Sequence, residues 1–125
     1  MKPPRAIRVV LVEDNDVFRE ALELLLGLRG NVEVVASLAD GREAAAVCER
    51  LAPDVVVVDY RLPGLDGVQV TSAVRRACPD TAVVCLTAEV SEREAEALRE
   101  AGVLECVTKD GSLDGIVGAI QRAAA

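Results

Sequence analysis

The chain has 125 residues, a net charge of −7 and 51% hydrophobic residues, with a single Tyr, a single Phe and neither Trp nor His. That length suits one domain able to bury roughly two-thirds of its unfolded surface, and its acidity disfavours phosphate backbones and anionic lipid as direct partners. Without histidine there is no Ser-His-Asp triad, no Cys-His nucleophile pair and no His-ligated zinc.

The first apolar run, Ile7–Val12, predicts a strand. A helix follows over 16–29, with Val17, Ala21, Leu24, Leu25 and Leu28 on one face and Gly30 as its stop. A second strand is predicted over 32–36. Asp40 and Glu43 read as a capping box opening a helix over Ala44–Leu51. The third strand falls at 55–58, with Asp54 and Asp66 as turn residues beside Pro53 and Gly67. Gly67–Ala77 is helical, with Val70, Ala73 and Val74 in a stripe, and 82–86 is the fourth strand. Ser91 and Glu94 form a second capping-box signal for Glu92–Ala101, which Gly102 ends. The fifth strand is expected at 105–108, and Ser112 caps a last helix.

Strands apolar at nearly every position are buried on both faces. Their alternation with helices calls for a parallel sheet covered on both sides, joined by right-handed crossovers. No linker or repeat interrupts residues 1–125, which read as one domain. Cys48, Cys78, Cys85 and Cys106 include no C-x-x-C spacing and read as small buried hydrophobes in a reducing compartment. No apolar run approaches the ~20 residues that cross a bilayer, and the N-terminal stretch lacks an apolar signal segment. The expected localisation is cytoplasmic, with no membrane partner.

In parallel α/β sheets, ligands bind beyond the carboxyl ends of the strands where strand order reverses. Here those ends carry Glu13-Asp14, Asp59, Thr87 and Lys109. Each has a plainer use when taken alone: the acid pair suits a helix N-terminus, Asp59 a turn, Thr87 a strand, and Lys109 a solvated surface. Together on one rim they suggest more. Converging carboxylates repel one another, and a hard divalent cation relieves that repulsion, with oxygen ligands favouring Mg2+. A carboxylate, a cation, a hydroxyl and a lysine suit phosphoryl transfer onto an aspartate.

At these positions the chain resembles the receiver domains of bacterial two-component response regulators, over roughly residues 7–119. The resemblance rests on Val9-Val10-Leu11-Val12-Glu13-Asp14, on Pro53-Asp54-Val55-Val56-Val57-Val58-Asp59, and on Leu62-Pro63-Gly64-Leu65-Asp66-Gly67. Leu86-Thr87-Ala88 and Thr108-Lys109-Asp110 complete it. It implies a flavodoxin-like, three-layer doubly wound (βα)5 fold with strand order 2-1-3-4-5. It implies that Asp59 takes a phosphoryl group from a sensor histidine kinase, and that Mg2+ is held by Glu13, Asp14, Asp59 and the Arg61 backbone carbonyl. Thr87 and Lys109 would engage the phosphoryl group, small Ala88 would leave room for its entry, and Arg61 and Glu89 would tune its lifetime. Lys109-Asp110 is similar to receivers joined to a helix-turn-helix output domain. No such domain is expected within these residues, so DNA contact would come only through one elsewhere. Homodimers in this subfamily are expected through the first and fifth helices or the fourth-helix face.

Two positions depart from the family. Cys106 stands where receivers usually carry the Tyr or Phe of their switch, after Glu105 where Gly is common. Asp110 replaces a frequent proline, which excludes a cis-proline loop there. The Cys106 departure supports an alternative: a receiver-like module that dimerises or binds without phosphorylation. A magnesium-dependent phosphatase is a third reading, weakened by Arg61 standing where such enzymes place a second acid. The chain is therefore read as a phosphoacceptor signalling domain rather than an enzyme.

Overall fold

The computed structural model describes residues 5–89 and 91–125. The first four residues, part of the stretch read above as lacking a signal segment, lie outside the described residues. The elements in chain order are β1 (Ile7–Val12), α1 (Asp16–Gly27), β2 (Val32–Leu38), α2 (Ala44–Leu51), β3 (Val55–Asp59), α3 (Gly67–Ala77), β4 (Ala82–Thr87), α4 (Glu92–Ala101), β5 (Val103–Thr108) and α5 (Leu113–Ala124). All sheet pairings are parallel, in the order β2-β1-β3-β4-β5. This is the doubly wound, flavodoxin-like architecture that the resemblance implied. The chain turns one way from β1 to β2 and the other way to β3, so the switch point lies between β1 and β3.

Alternate residues of the central strands feed two cores. Val9, Leu11, Val55, Val57, Val84 and Leu86 pack under α1 and α5. Val10, Val12, Val56, Val58, Val83 and Cys85 pack under α2, α3 and α4. β3 and β4 are buried along their whole length, which is why they read as unbroken apolar runs. Each fully buried Val or Leu contributes roughly 1.5–3 kcal/mol. The edge strand β5 alternates between sheltered and exposed residues, and it starts two residues earlier than its sequence pattern suggests.

Helix α1 corrects two expectations. It ends at Gly27 with Leu28 as its C-cap, so Gly30 is not its stop. It also buries Leu22 and Leu26, leaving Val17, Leu24 and Leu28 at 79%, 67% and 75% exposure. The helix is apolar around most of its circumference, and docking on β1 and β2 selects a face that periodicity alone does not. The Asp40–Glu43 capping box also fails to form. Asp40 caps a short 3-10 turn by accepting from the Arg42 N–H, and α2 begins at Ala44 without a side-chain cap. Asp66, read as a turn acid, forms a reciprocal capping box with Gln69 at the start of α3. Asp54 accepts from the Arg8 N–H at 2.8 Å and from Arg5 at 3.2 Å, which ties the base of β3 to β1. The Ser91–Glu94 capping box and the Ser112 cap form as expected, and Gly102 ends α4 at φ +115°, a conformation strained for any L side chain.

Candidate functional site

The site is built at the carboxyl ends of β1, β3, β4 and β5. In-register pairing of β1 with β3 and of β3 with β4 delivers Glu13, Asp59 and Thr87 to one rim. The β1–α1 turn is fixed by Asn15, whose side chain accepts from the Phe18 N–H at 2.9 Å as the helix N-cap. Arg19, one turn into α1, donates to the Glu13 carbonyl at 2.8 Å and pairs with Asp16 at 2.7 Å. The β3–α3 loop is held by the Gly67 N–H donating to the Tyr60 carbonyl at 2.7 Å. A Cβ at Gly67 would stand 2.9 Å from the Tyr60 Cα, so only glycine permits this approach.

One carboxylate oxygen from each of Glu13, Asp14 and Asp59 lies within 4.8 Å of the other two. Glu13 and Asp59 are buried, whereas Asp14 faces solvent. Lys109 reaches across the rim from the end of β5. Its Nζ lies 3.0 Å from Glu13 and 3.2 Å from Asp59, and 4.7 Å from the centre of the Phe18 ring. Burial works against its charge, but Glu13 and Asp59 outweigh that and raise its pKa. Burial lifts Glu13 to about 7, assisted by Asp59 and opposed by Lys109. The second Glu13 oxygen, Oε2, is buried with no hydrogen-bond partner. An orphaned carboxylate oxygen beside two further carboxylates, in an all-oxygen donor set, fits a hard divalent cation.

Thr87 is buried, and its hydroxyl donates to the Glu89 carbonyl at 2.9 Å. Its own carbonyl accepts from the Lys109 N–H at 2.9 Å. Ala88 and Glu89 are exposed beside it. Arg61 is exposed, 3.9 Å from Glu94 of α4 and stacked 5.5 Å above the Tyr60 ring. Cys106 is exposed on β5, and Cys78 is partly exposed. These two correct the reading that all four cysteines are buried.

The model for the response regulator receiver domain family matches residues 9–121. The chain belongs to that family. Among its relatives, the transcriptional regulatory protein LnrK of Bacillus subtilis is 37% identical over 115 residues, 91% of this chain and 52% of LnrK. The probable transcriptional regulatory protein NarL of Mycobacterium tuberculosis is 35% identical over 117 residues, 94% of this chain and 54% of NarL. The chain thus spans about half the length of these regulators. The solved signal receiver domain of M. tuberculosis NarL superimposes with a TM-score of 0.91 at 35% identity, covering 97% of this chain and 98% of that one. A LuxR-family response regulator from Aurantimonas sp. gives 0.89 at 31% identity, covering 95% and 85%. The chain is thus a receiver domain, a signalling module of two-component systems.

The receiver's rim brings together Glu13, Asp14, Asp59, Thr87 and Lys109 as the sequence suggested. Asn15, Phe18 and Arg19 were missed. Asn15 precedes an acid-led helix start and carries a capping signal. Phe18 and Arg19 face the site only because α1 docks as it does. Among the described residues no helix is long and apolar enough to cross a membrane.

Proposed function

We propose that Asp59 is the phosphoacceptor of this receiver and that a sensor histidine kinase is its donor. The observation that carries this is the Asp59 carboxylate, buried beside two further carboxylates and 3.2 Å from a lysine ammonium. An Asp59 oxygen attacks the phosphorus of a phosphohistidine, the P–N bond breaks, and the imidazole leaves with the electron pair. Lys109 pairs with one phosphoryl oxygen, and Thr87 donates to another once its hydroxyl leaves the Glu89 carbonyl. Ala88 leaves the approach open. Glu13, Asp14, Asp59 and the Arg61 backbone carbonyl would hold Mg2+. When bound, the ion offsets the charge shared by these carboxylates and the phosphoryl oxygens. Water then cleaves the aspartyl-phosphate, at a rate that exposed Arg61 and Glu89 are placed to tune.

The relatives named as transcriptional regulators and the half-length match support action with a DNA-binding output domain. The exposed Val17, Leu24 and Leu28 favour the α1–α5 side for a second copy over the α4 face. A phosphate-independent binding module gains no support from a rim that assembles every expected phosphoryl-handling group.

Acetyl phosphate with Mg2+ should add one phosphoryl group to the intact mass, and Asp59→Asn should abolish the addition. Undiminished labelling of that variant would assign the acceptor to another residue.

A further inference from the structure

Two thiols outside the proposed phosphoryl site are brought together by the pairing of β4 with β5. Cys85 and Cys106 are register partners on these adjacent parallel strands, so their side chains leave the same face of the sheet. Cys85 belongs to the core beneath α2, α3 and α4 and is fully buried, whereas Cys106 on the edge strand is exposed. Their meeting depends on the register shift between Val83 and Val84. Without it, the pairing from Val83 and Val103 would set Cys85 against Glu105. Cys106 would then sit opposite Leu86, whose side chain points to the other core.

Neighbouring strands run about 4.8 Å apart, inside the ~4.4–6.8 Å between Cα atoms that a disulfide requires. We propose that Cys85 and Cys106 are a peroxide-oxidisable dithiol that closes to an intrachain disulfide tying β4 to β5. The proposal is independent of the phosphoryl reading. It concerns the same rim, because Thr87 lies two residues beyond Cys85 and Lys109 three beyond Cys106.

The exposed sulfur is the attacking one. The neighbouring Cys85 thiol draws the Cys106 pKa below the ordinary thiol range, against an opposing push from burial and with help from the Arg99 guanidinium. The same contact, with burial, raises Cys85. Elsewhere, burial pushes Cys48 up to about 12 and also raises Cys78, so neither presents a ready thiolate. The chemistry proceeds in two balanced steps. The Cys106 thiolate attacks hydrogen peroxide, the O–O bond breaks, and sulfenic acid forms with release of water. The Cys85 sulfur then attacks the sulfenic sulfur, the S–O bond breaks, and a second water leaves as the S–S bond forms. Two thiols are oxidised by two electrons, and one peroxide is reduced to two waters.

The reduced full chain is treated with hydrogen peroxide, quenched with an alkylating reagent, and examined by intact mass and peptide mapping. The expected result is a monomer that has lost two hydrogens, with two of its four cysteines blocked and a Cys85–Cys106 cross-linked peptide; dithiothreitol restores all four thiols. Cys106→Ser, an exposed change that spares the core, abolishes the loss. Cys85→Ala stops the reaction at a dimedone-reactive Cys106. Four unreacted thiols, oxygen added to Cys106 of the unaltered chain without a cross-link, a Cys106 bridge between two chains, or a Cys48–Cys78 bond in its place would each overturn the proposal.

Discussion

The β1–β3 part of the rim holds carboxylates on buried central strands, while the β4–β5 part holds a hydroxyl, with two thiols below it on β4 and the exposed edge strand β5. In the first, Glu13 and Asp59 are fixed by strands covered on both faces, and repulsion between them is offset by a lysine reaching across the sheet. In the second, β5 has one neighbouring strand and alternating exposure, so its outward positions are held by few contacts. The charged part tolerates little change, because removing one partner leaves a buried charge uncompensated. The edge position Cys106 is exposed, so its side chain is under less packing constraint than the buried residues of β3 and β4. The charged cluster and the edge strand are therefore held by different interactions, the first by paired charges on buried strands and the second by one neighbouring strand.

The largest expected effect tests the charged part. Lys109→Ala, assayed with acetyl phosphate at saturating Mg2+, should slow phosphoryl incorporation on the order of 100-fold, as loss of one charge-stabilising donor does. Cys48→Ala, on the buried face of α2, should leave that rate unchanged. Equal slowing in both variants would erase the distinction between rim and scaffold.

A smaller effect should appear in the pH dependence of metal-free stability. Glu13 titrates near 7 in the folded chain, above the ordinary 4.5 of a free glutamate. The folded state therefore holds this proton more tightly than the unfolded state does. The stability it contributes is fully present below about 4.5 and is lost as pH rises through about 7. The single-proton slope is at most ~1.4 kcal/mol per pH unit. Urea melts of wild type and Glu13→Gln across this window should diverge, with the variant flatter, and saturating Mg2+ should reduce the wild-type slope. Parallel curves would place the orphaned oxygen in a more solvated setting than its burial indicates.

The smallest effect belongs to the edge. Arg122 of α5 donates twice to Glu105 of β5, both at 2.8 Å, but the arginine is largely exposed. Arg122→Ala should leave the thermal midpoint nearly unmoved, because water and salt screen such pairs. A drop as large as that from truncating buried Leu98 would show that β5 is anchored by charge rather than by packing.

The amino-acid sequence by itself determined the element order, the parallel sheet and the four strand ends that carry chemistry. Buried parallel strands must be apolar throughout, so the first polar residue after each run marks where it emerges. Ile7–Val12, Gly67–Ala77 and Glu92–Ala101 have the bounds their patterns predict, because caps and burial act on neighbours in the chain. Tertiary structure decided which side of leucine-rich α1 is buried, that Phe18 lies against Lys109, and that Glu13 keeps an oxygen without a partner. It also decided that Cys85 faces Cys106. A single register shift between two strands sets that pairing, and no local preference in either segment encodes it.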